Sequence, residues 1–258
     1  MPDSGLKDKV AIVTGAGSRG DGIGNGRAAA ILLAREGARV ALLDAERDWA
    51  EATKAMIDQE GGTSMVLVAD VADAASCAQA VKATVDAWGR LDVLVNNVGI
   101  GGPAGNAVEV DPEAWDVAMR INVKSMMLMA KAAIPEMQRQ GGGAIVNIAS
   151  IDALKGGNPS LFYSTSKGAI VNMTRSMAVH HGPDGIRVNC VTPGLVQTDI
   201  TGDKLTPQIK SEIATSIPLN RLGEASDIAG AYLFLASDYS SYITGAVIDV
   251  NGGMLIHG

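Results

Sequence analysis

The sequence has few aromatic residues, few cysteines and no excess of positive charge. Only 3% of its 258 residues are aromatic, whereas 47% are hydrophobic and glycine occurs 31 times. A chain of this length can bury a large core, and the composition is that of a globular protein rather than a disordered one. Because bulky rings are rare, its helices and strands are expected to pack closely.

The charge balance and the two cysteines exclude several classes of protein. The formal net charge is −7, so no basic patch is available to neutralise phosphates, and we expect no nucleic-acid partner. Cys77 and Cys190 are too few for a disulfide framework, and a reducing, cytoplasmic location is expected. Cys190 lies within an apolar run and is expected in the core.

Long hydrophobic segments are also missing. One of the longest uninterrupted apolar runs, Ala28–Ala34, is much shorter than the roughly 20 residues that cross a bilayer. The first nine residues, MPDSGLKDK, contain no apolar core of a signal peptide. We therefore expect no membrane partner.

Short apolar runs alternate with longer segments of helical periodicity along the chain. This alternation predicts an α/β fold: a single Rossmann-type, doubly wound domain over 1–258, with a seven-stranded parallel sheet flanked by helices on both faces. The segment 195–218 contains the longest irregular stretch and is predicted to be a substrate lid, or else a short surface helix. The predicted strands are 10–13, 40–43, 65–69, 93–95, 144–148, 187–191 and 246–250, and the predicted helices are 24–36, 47–59, 74–88, 112–140, 164–180 and 224–236.

A glycine turn, residues 15–24, follows the first predicted strand and opens the first helix. Glycines such as Gly15 and Gly22 let a backbone approach a pyrophosphate, and the helix N-terminus supplies N–H groups and a positive dipole end. A glycine-rich turn without a ligand is the simpler interpretation of this feature alone. Ser18, Arg19 and Ile23 lie in or beside the same turn.

Asp44 favours a dinucleotide, because it ends the second predicted strand 20 residues after Gly24. A carboxylate at this point accepts hydrogen bonds from the adenosine ribose and repels a 2′-phosphate, which favours NAD over NADP. Arg19 argues the other way, since a basic side chain in the turn can pair with that phosphate. We give Asp44 more weight because its strand-end position is better defined than the conformation of a long loop.

Two further strand ends carry polar residues. Asp70 and Val71 follow the third strand, where a carboxylate can accept from the adenine amino group, and Asn97 and Gly99 follow the fourth. The carboxyl ends of parallel strands meet at one edge of the sheet, which is where open α/β folds bind ligands. Each residue alone could serve only a turn, but together they indicate a binding edge.

Tyr163 and Lys167 are spaced i and i+4, so a helix places them on one face. A lysine ammonium in that position is expected to lower the pKa of the phenol by stabilising the phenolate. Ser150 precedes the tyrosine by 13 residues and follows the fifth predicted strand. Such a pair is a weak signal by count alone and depends on the rest of the chain for support.

Taken together, these motifs resemble the short-chain dehydrogenase/reductase family of the classical type, over nearly the whole chain. The glycine turn, Asn96-Asn97-Val98-Gly99, Ser150 and Tyr163-x-x-x-Lys167 occur in the family's order, and the tail ends in Asn251-Gly252-Gly253. Two departures stand out. Six residues separate Gly15 from Gly22 where the family usually has three, so 18–21 form an enlarged loop, and Val98 replaces the common alanine.

The resemblance implies the catalytic roles. Tyr163 would be the general acid/base, Lys167 its electrostatic helper, Ser150 the hydrogen-bond donor to the substrate oxygen, and Asn122 the anchor of a relay water. An ordinary buried amide is the alternative for Asn122. No metal is implied; the adjacent His180 and His181 do not share a helix face.

The resemblance also implies an NAD site and an assembly. Lys167 would contact the nicotinamide ribose. Backbone groups near Val196 and the Thr198 hydroxyl would hold the carboxamide and pyrophosphate, although a Pro-Gly turn without a ligand also accounts for that segment. Helices 112–140 and 164–180 would pair across one interface of a homotetramer, and 224–236 with the last strand across another. The implied cofactor-binding residues are Gly15, Ser18, Arg19, Gly22, Ile23, Asp44, Asp70, Val71, Asn97, Gly99, Tyr163, Lys167, Pro193, Gly194, Val196 and Thr198.

The expected function is NAD-dependent, reversible oxidation of a secondary alcohol to a ketone. The alternative enzyme is an NADPH-dependent 3-oxoacyl-thioester reductase, against which Asp44 argues. A non-catalytic dinucleotide sensor is the alternative from another class, and the complete Ser150, Tyr163 and Lys167 set disfavours it. The substrate stays open: Ile151, Leu154, Leu161 and Phe162 favour an apolar or cyclic body, whereas Asp152 and Asn158 leave room for a polyol or sugar. The pocket is expected from 100–102, 151–154, 158–162 and 195–215.

Overall fold

The structure, a computed structural model, describes residues 4–20, 22–198 and 206–256. The strands are β1 Val10–Thr14, β2 Arg39–Asp44, β3 Thr63–Val68, β4 Val93–Asn96, β5 Gly143–Ile148, β6 Ile186–Pro193, β7 Val196–Gln197, β8 Gly223–Glu224 and β9 Val247–Val250. The helices are α1 Asn25–Arg35, α2 Arg47–Gln59, α3 Ala74–Trp88, α4 Pro112–Met119, α5 Ser125–Arg139, α6 Leu161–His181, α7 Pro207–Thr215 and α8 Ala225–Ala236.

Seven strands form one parallel sheet in the order β3-β2-β1-β4-β5-β6-β9. The predicted Rossmann-type sheet is therefore confirmed. The order reverses between β1 and β4, and this reversal opens a crevice at the carboxyl ends of the strands. The glycine turn leaves β1 at that point.

The core lies on both faces of the sheet. Val10 and Ile12 pack into one apolar cluster, whereas Ala11 and Val13 pack into the other, and all four are fully buried. Strands covered on both faces need apolar residues at every position, which is why their sequences read as continuous hydrophobic runs. Helices α1 and α8 pack together on one side, and α3 packs against α5.

The sixth strand is longer than predicted and two short strands were not predicted. β6 extends over Ile186–Pro193, so Pro193 lies within it rather than after it. β7 pairs with β8 in a separate parallel pair of two residues each. Segments of two residues carry no periodicity, so the sequence contains no signal for them.

The predicted helical segment 112–140 is helical throughout 112–139, but it is not a regular α-helix. A π-helical turn over Arg120–Lys124 separates α4 from α5. One extra residue in that turn shifts the helical register, and such π-bulges are frequent at functional sites. Asn122 lies in the middle of this turn and is completely buried.

Helix α6 begins earlier than the predicted residue 164. The hydroxyl oxygen of Ser160 accepts a hydrogen bond from the Tyr163 N–H at 3.1 Å and caps the helix. This cap brings Tyr163 into the first turn, on the same helix as Lys167.

The predicted lid is only partly described. Residues 199–205 of it lie outside the described part of the chain, and α7 follows them. None of the residues of α7 is buried. No helix of the described residues is long and apolar enough to cross a membrane.

Candidate active site

The glycine turn and the end of β4 are tied together at the crevice. Gly15 has φ +63°, a left-handed conformation that glycine adopts without strain. The Asn97 side chain donates to the carbonyls of Thr14 at 3.2 Å and Gly15 at 3.3 Å, and it accepts from the Tyr232 hydroxyl at 3.3 Å. Asn97 therefore fixes the entrance of the turn.

Asp44, the last residue of β2, faces the glycine turn. Its Oδ2 accepts a hydrogen bond from the Gly17 N–H at 2.8 Å, and its Oδ1 accepts from the Glu46 N–H at 3.1 Å. A Cβ on Gly17 would lie 2.5 Å from the Trp49 Cβ and 2.8 Å from Asp44 Oδ2. Only glycine lets the turn approach this carboxylate so closely.

The turn leaves the N-terminus of α1 open to an anion. The N-cap residue, Gly24, provides no side-chain cap, and the first turn of α1 contains no acidic residue. The Ser18 hydroxyl is buried and accepts from the Gly24 N–H at 3.0 Å, while Ile23 and Arg19 are exposed. Uncapped N–H groups at a positive dipole end fit a dinucleotide phosphate.

Asp70 and Val71, which follow β3, make hydrogen bonds that stabilise the local chain. Asp70 is exposed two residues beyond the strand, and its Oδ1 accepts from the Ala72 N–H at 2.8 Å. Val71 is buried, and its carbonyl accepts a hydrogen bond from the Cys77 thiol at 3.3 Å. A contact of Asp70 with adenine stays a prediction.

The Pro-Gly segment closes the same edge beyond β6. The Gly194 N–H donates to the Val250 carbonyl at 3.0 Å, and a Cβ on Gly194 would lie 2.8 Å from the Asn251 Cβ. Val196 is buried in β7, and Thr198 is half-buried at the last residue before 199–205. Pro193 and Gly194 thus pack against the β9 end.

Ser150 and Tyr163 meet at the centre of the crevice. Burial raises the pKa of the Tyr163 phenol, a hydrogen bond with the Ser150 hydroxyl lowers it, and the nearby Asp152 carboxylate raises it further. Ser150 Oγ also accepts from the Asp152 N–H at 3.1 Å. Because that oxygen already accepts a backbone N–H, the hydroxyl proton of Ser150 is left to donate.

The prediction that the Tyr163 pKa is lowered overall is wrong for this structure, because burial raises it. The Lys167 ammonium lies 5.7 Å from the ring centroid of Tyr163 and donates to the Ile148 carbonyl at 3.3 Å. Burial lowers the pKa of Lys167 itself to about 8. Loss of hydration therefore dominates the protonation of both groups.

Asn122 connects α6 to the loop that follows β4. Its Oδ1 accepts from the Ile100 N–H at 2.7 Å, and its Nδ2 donates to the Ile100 carbonyl at 2.8 Å and to the Ser166 hydroxyl at 3.2 Å. A Cβ on Gly99 would lie 3.2 Å from Lys167 Nζ and 3.7 Å from Asn122 Oδ1. The π turn thus brings Asn122, Gly99 and Lys167 together.

Two residues expected to line the substrate pocket are in the interior instead. Phe162 is completely buried, edge-on against Trp115, and a Cβ on Gly102 would lie 2.2 Å from its ring. Ile151 is only 5% exposed. Phe162 therefore seats the loop after β4 on α6 and leaves the polar Asp152 and Asn158, joined at 2.8 Å, on the accessible side.

Two residues that support the turn were not predicted. Tyr232 on α8 holds Asn97, and Arg27 on α1 is completely buried beneath the glycine turn. A signal for Arg27 was present in the sequence. A cation in the first turn of a helix opposes the positive end of the dipole, so it needs compensating acceptors.

Comparison with known proteins agrees with this geometry. A family model described as enoyl-(acyl carrier protein) reductase matches residues 18–255. An uncharacterized short-chain type dehydrogenase/reductase of Sinorhizobium fredii is 46% identical over 98% of this chain and 99% of its own. An L-rhamnose 1-dehydrogenase (NAD(P)(+)) of Azotobacter vinelandii is 41% identical over 98% of each chain.

A solved structure shares the fold closely. A 7α-hydroxysteroid dehydrogenase complexed with NADH and 7-oxo glycochenodeoxycholic acid has a TM-score of 0.90 and 33% identity, over 97% of this chain and 96% of that one. These findings define an oxidoreductase of the nicotinamide-dependent class. The chain belongs to the short-chain dehydrogenase/reductase family, whose members use NAD or NADP.

Proposed function

We propose that this protein is an NAD-dependent dehydrogenase that oxidises a secondary alcohol reversibly to a ketone. The observation that carries the proposal is the meeting of Ser150, Tyr163 and Lys167 at the edge that also holds the glycine turn and Asp44. Bound nicotinamide would accept the hydride and bring a positive charge to the edge. The chain's own residues would carry out all other steps.

In this proposal Tyr163 moves the proton. Its phenolate takes the alcohol proton as the hydride leaves, and in the reverse direction the phenol returns it. Ser150 donates its hydroxyl proton to the substrate oxygen. Lys167 binds the cofactor ribose and supports the phenolate by its charge, while Asn122 keeps the loop after β4 in place and anchors the relay water.

The choice of NAD follows from the position of Asp44. Its carboxylate lies beside the glycine turn and accepts from the Gly17 and Glu46 amides, so a 2′-phosphate entering there would meet a negative charge. Arg19 argues against NAD, because it is exposed and is the one basic side chain among the described residues of the turn, 15–20 and 22–24. The other proposed cofactor contacts are the residues that the family resemblance implies, which include Asp70, Gly99 and Thr198.

Kinetics with both cofactors test the NAD preference. The wild type is expected to show a kcat/KM at least about tenfold higher with NAD than with NADP, and Asp44→Asn should lose most of that ratio, because charged hydrogen bonds are worth about 1.5–3 kcal/mol. Asp44→Asn keeps one acceptor oxygen, so it removes the charge together with one of the two hydrogen bonds from the Gly17 and Glu46 amides. A wild type that prefers NADP would instead support the 3-oxoacyl-thioester reductase.

We further propose a substrate with hydroxyl groups beyond the one that is oxidised. Support comes from the burial of Ile151 and Phe162, which removes two apolar walls, and from Asp152 and Asn158, which remain available. The related L-rhamnose 1-dehydrogenase acts on a sugar by its name. A screen of NAD reduction over sugars, polyols, cyclic alcohols and hydroxy acids should favour the first two.

The Asp152 carboxylate is expected to contribute to the pH dependence, beside the larger effect of burial on the Tyr163 pKa. Because it raises the Tyr163 pKa, Asp152→Asn should lower that pKa and shift the rise of kcat/KM for alcohol oxidation to lower pH. The pH profile of initial rates measures this shift. Asp86→Asn, which changes an exposed carboxylate of α3, is the control. A shift to higher pH, or an equal shift in the control, would contradict the assignment.

We also propose a homotetramer in the cytoplasm, with no nucleic-acid or membrane partner. Exposed apolar side chains on three helices support the assembly: Val117 on α4, Met127 on α5 and Val179 on α6 are 48%, 40% and 76% exposed. A cavity of about 650 Å³ lies on the α4–α5 side and is lined in part by Val117, Met127 and Met173. A second copy of this chain would cover these side chains.

A further inference from the structure

The largest fully buried side chain of the described residues is Arg27, the third residue of α1. Its guanidinium reaches across the enlarged part of the glycine turn. Nη2 donates to the Ser18 carbonyl at 3.2 Å, and Nη1 donates to the Gly20 carbonyl at 3.3 Å and to the Gly22 carbonyl. One side chain therefore binds three carbonyls of the enlarged loop, in which six residues separate Gly15 from Gly22.

The other donors of Arg27 reach α2. Nε donates to Thr53 Oγ1 at 3.0 Å, and Nη2 also lies 3.4 Å from the Trp49 carbonyl. Thr53 in turn donates to the Ala16 carbonyl at 2.8 Å. Four described residues of the turn are thus held to α1 and α2, which offsets the roughly 1–2 kcal/mol of entropy that each ordered loop residue costs.

The orientation of these carbonyls determines where the adjacent amides point. In a planar trans peptide the C=O and the following N–H point in opposite directions. Since the Ser18 and Gly22 carbonyls point inward to Arg27, the N–H groups of Arg19 and Ile23 point outward. Neither of these two N–H groups donates a hydrogen bond within the described part of the chain.

We propose that Arg27 is a positioning residue for the dinucleotide: it holds the enlarged turn so that the Arg19 and Ile23 amides face the cofactor diphosphate. It acts through the Ser18, Gly20 and Gly22 carbonyls and does not touch the cofactor. Two outward amides beside the open N-terminus of α1 form a concave anion site. This inference rests on the proposed dinucleotide site and adds the residue that shapes it.

Binding and kinetics of Arg27→Met test the inference. The diphosphate does not change during hydride transfer, so its contacts are made equally in the ground and transition states. We expect the Kd for NAD and for ADP-ribose, measured by calorimetry, to rise by about 10- to 100-fold, with kcat at saturating NAD within about threefold of the wild type. Arg27→Lys, which keeps the charge but offers one ammonium for several carbonyls, should give an intermediate Kd.

Arg187→Met is the matched control. Arg187 also clamps carbonyls, those of Leu235 and Ser237, together with the Ser240 hydroxyl, but it joins β6 to α8 rather than the turn. Its loss should lower the melting temperature without raising the Kd for NAD. An equal rise in Kd for this variant would show general destabilisation and overturn the inference.

The remaining outcomes are separable. If Arg27→Met does not fold, Arg27→Lys decides, and a Lys variant that binds ADP-ribose as the wild type does would overturn the inference. Unchanged Kd with reduced kcat would do the same. A wild type that binds NAD but oxidises no alcohol would contradict the proposed function alone, because the binding readout would still test Arg27. A wild type that binds neither NAD nor ADP-ribose would contradict both.

Discussion

Replacing Tyr163 with phenylalanine is expected to reduce alcohol oxidation by about 10²- to 10⁴-fold, the usual contribution of a general acid/base. The substitution keeps the ring on α6 and removes only the hydroxyl that interacts with Ser150. Without it, the phenolate that is proposed to accept the alcohol proton cannot form. Initial rates of NAD reduction with the best substrate of the screen measure the loss.

The affinity for NAD separates a catalytic role from a structural one. Tyr163→Phe should bind NAD within about threefold of the wild type, since all the other implied cofactor contacts are untouched. Tyr242→Phe, at a fully exposed tyrosine, is the control and should change neither quantity. Retained turnover in Tyr163→Phe would remove the acid/base assignment, and joint loss of binding and turnover would indicate a folding defect.

The sheet and the location of the site could be predicted because both depend on local sequence. Strands buried on two faces leave uninterrupted apolar runs, and parallel strands place their carboxyl ends at one edge. Asp44, Asn97 and Ser150 follow three such runs closely, so their meeting at the crevice follows from topology. The i, i+4 spacing of Tyr163 and Lys167 needed only a helix, which Ser160 caps.

The features that could not be predicted depend on tertiary contacts. The π turn at Asn122 is held by bonds to Ile100 and Ser166, which are 22 and 44 residues away in sequence. Burial of Phe162 depends on Gly102 in a distant loop. Sequence patterns show the period of a segment but not the partner against which it packs. An apolar side chain such as Phe162 can therefore be assigned wrongly to the lining of the substrate pocket.

The protonation of Tyr163 and Lys167 also depends on tertiary contacts rather than on local spacing. Spacing indicated that Lys167 lies near Tyr163, but the pKa of each group follows from how completely the fold removes it from water. Burial is the largest cause of both shifts, upward for the phenol and downward for the ammonium. Charge attraction alone, as inferred from the spacing, therefore predicts the wrong direction for Tyr163.

Replacing Lys167 with methionine is expected to stabilise the protein while reducing its activity by about 10²- to 10³-fold, as for loss of one preorganised electrostatic group. Lys167 is only 4% exposed, and its pKa falls from 10.5 to about 8. At about 1.36 kcal/mol per pKa unit, the buried charge costs roughly 3 kcal/mol. Loss of the Lys167 hydrogen bond to the Ile148 carbonyl offsets about 1 kcal/mol of the stability gained by removing this charge.

The sign of the pH dependence follows from the lowered pKa. Below about pH 8 the lysine is charged in both the folded and the unfolded chain, so the cost is fully present. Between about pH 8 and 10.5 the folded protein loses the proton first and the cost disappears. Lys167→Met should therefore gain about 2 kcal/mol at pH 7, and most of that gain should vanish by about pH 10.

Denaturant unfolding at pH 7 and pH 10 measures this gain, and thermal unfolding at pH 7 should show a midpoint raised by about 5 °C. Lys82→Met, at an exposed lysine of α3 paired with Asp86, is the control and should show no comparable gain. Equal gains at both pH values, or a loss at pH 7, would contradict the buried charge as the cause. A buried ammonium that destabilises the fold is expected where a residue serves catalysis rather than folding.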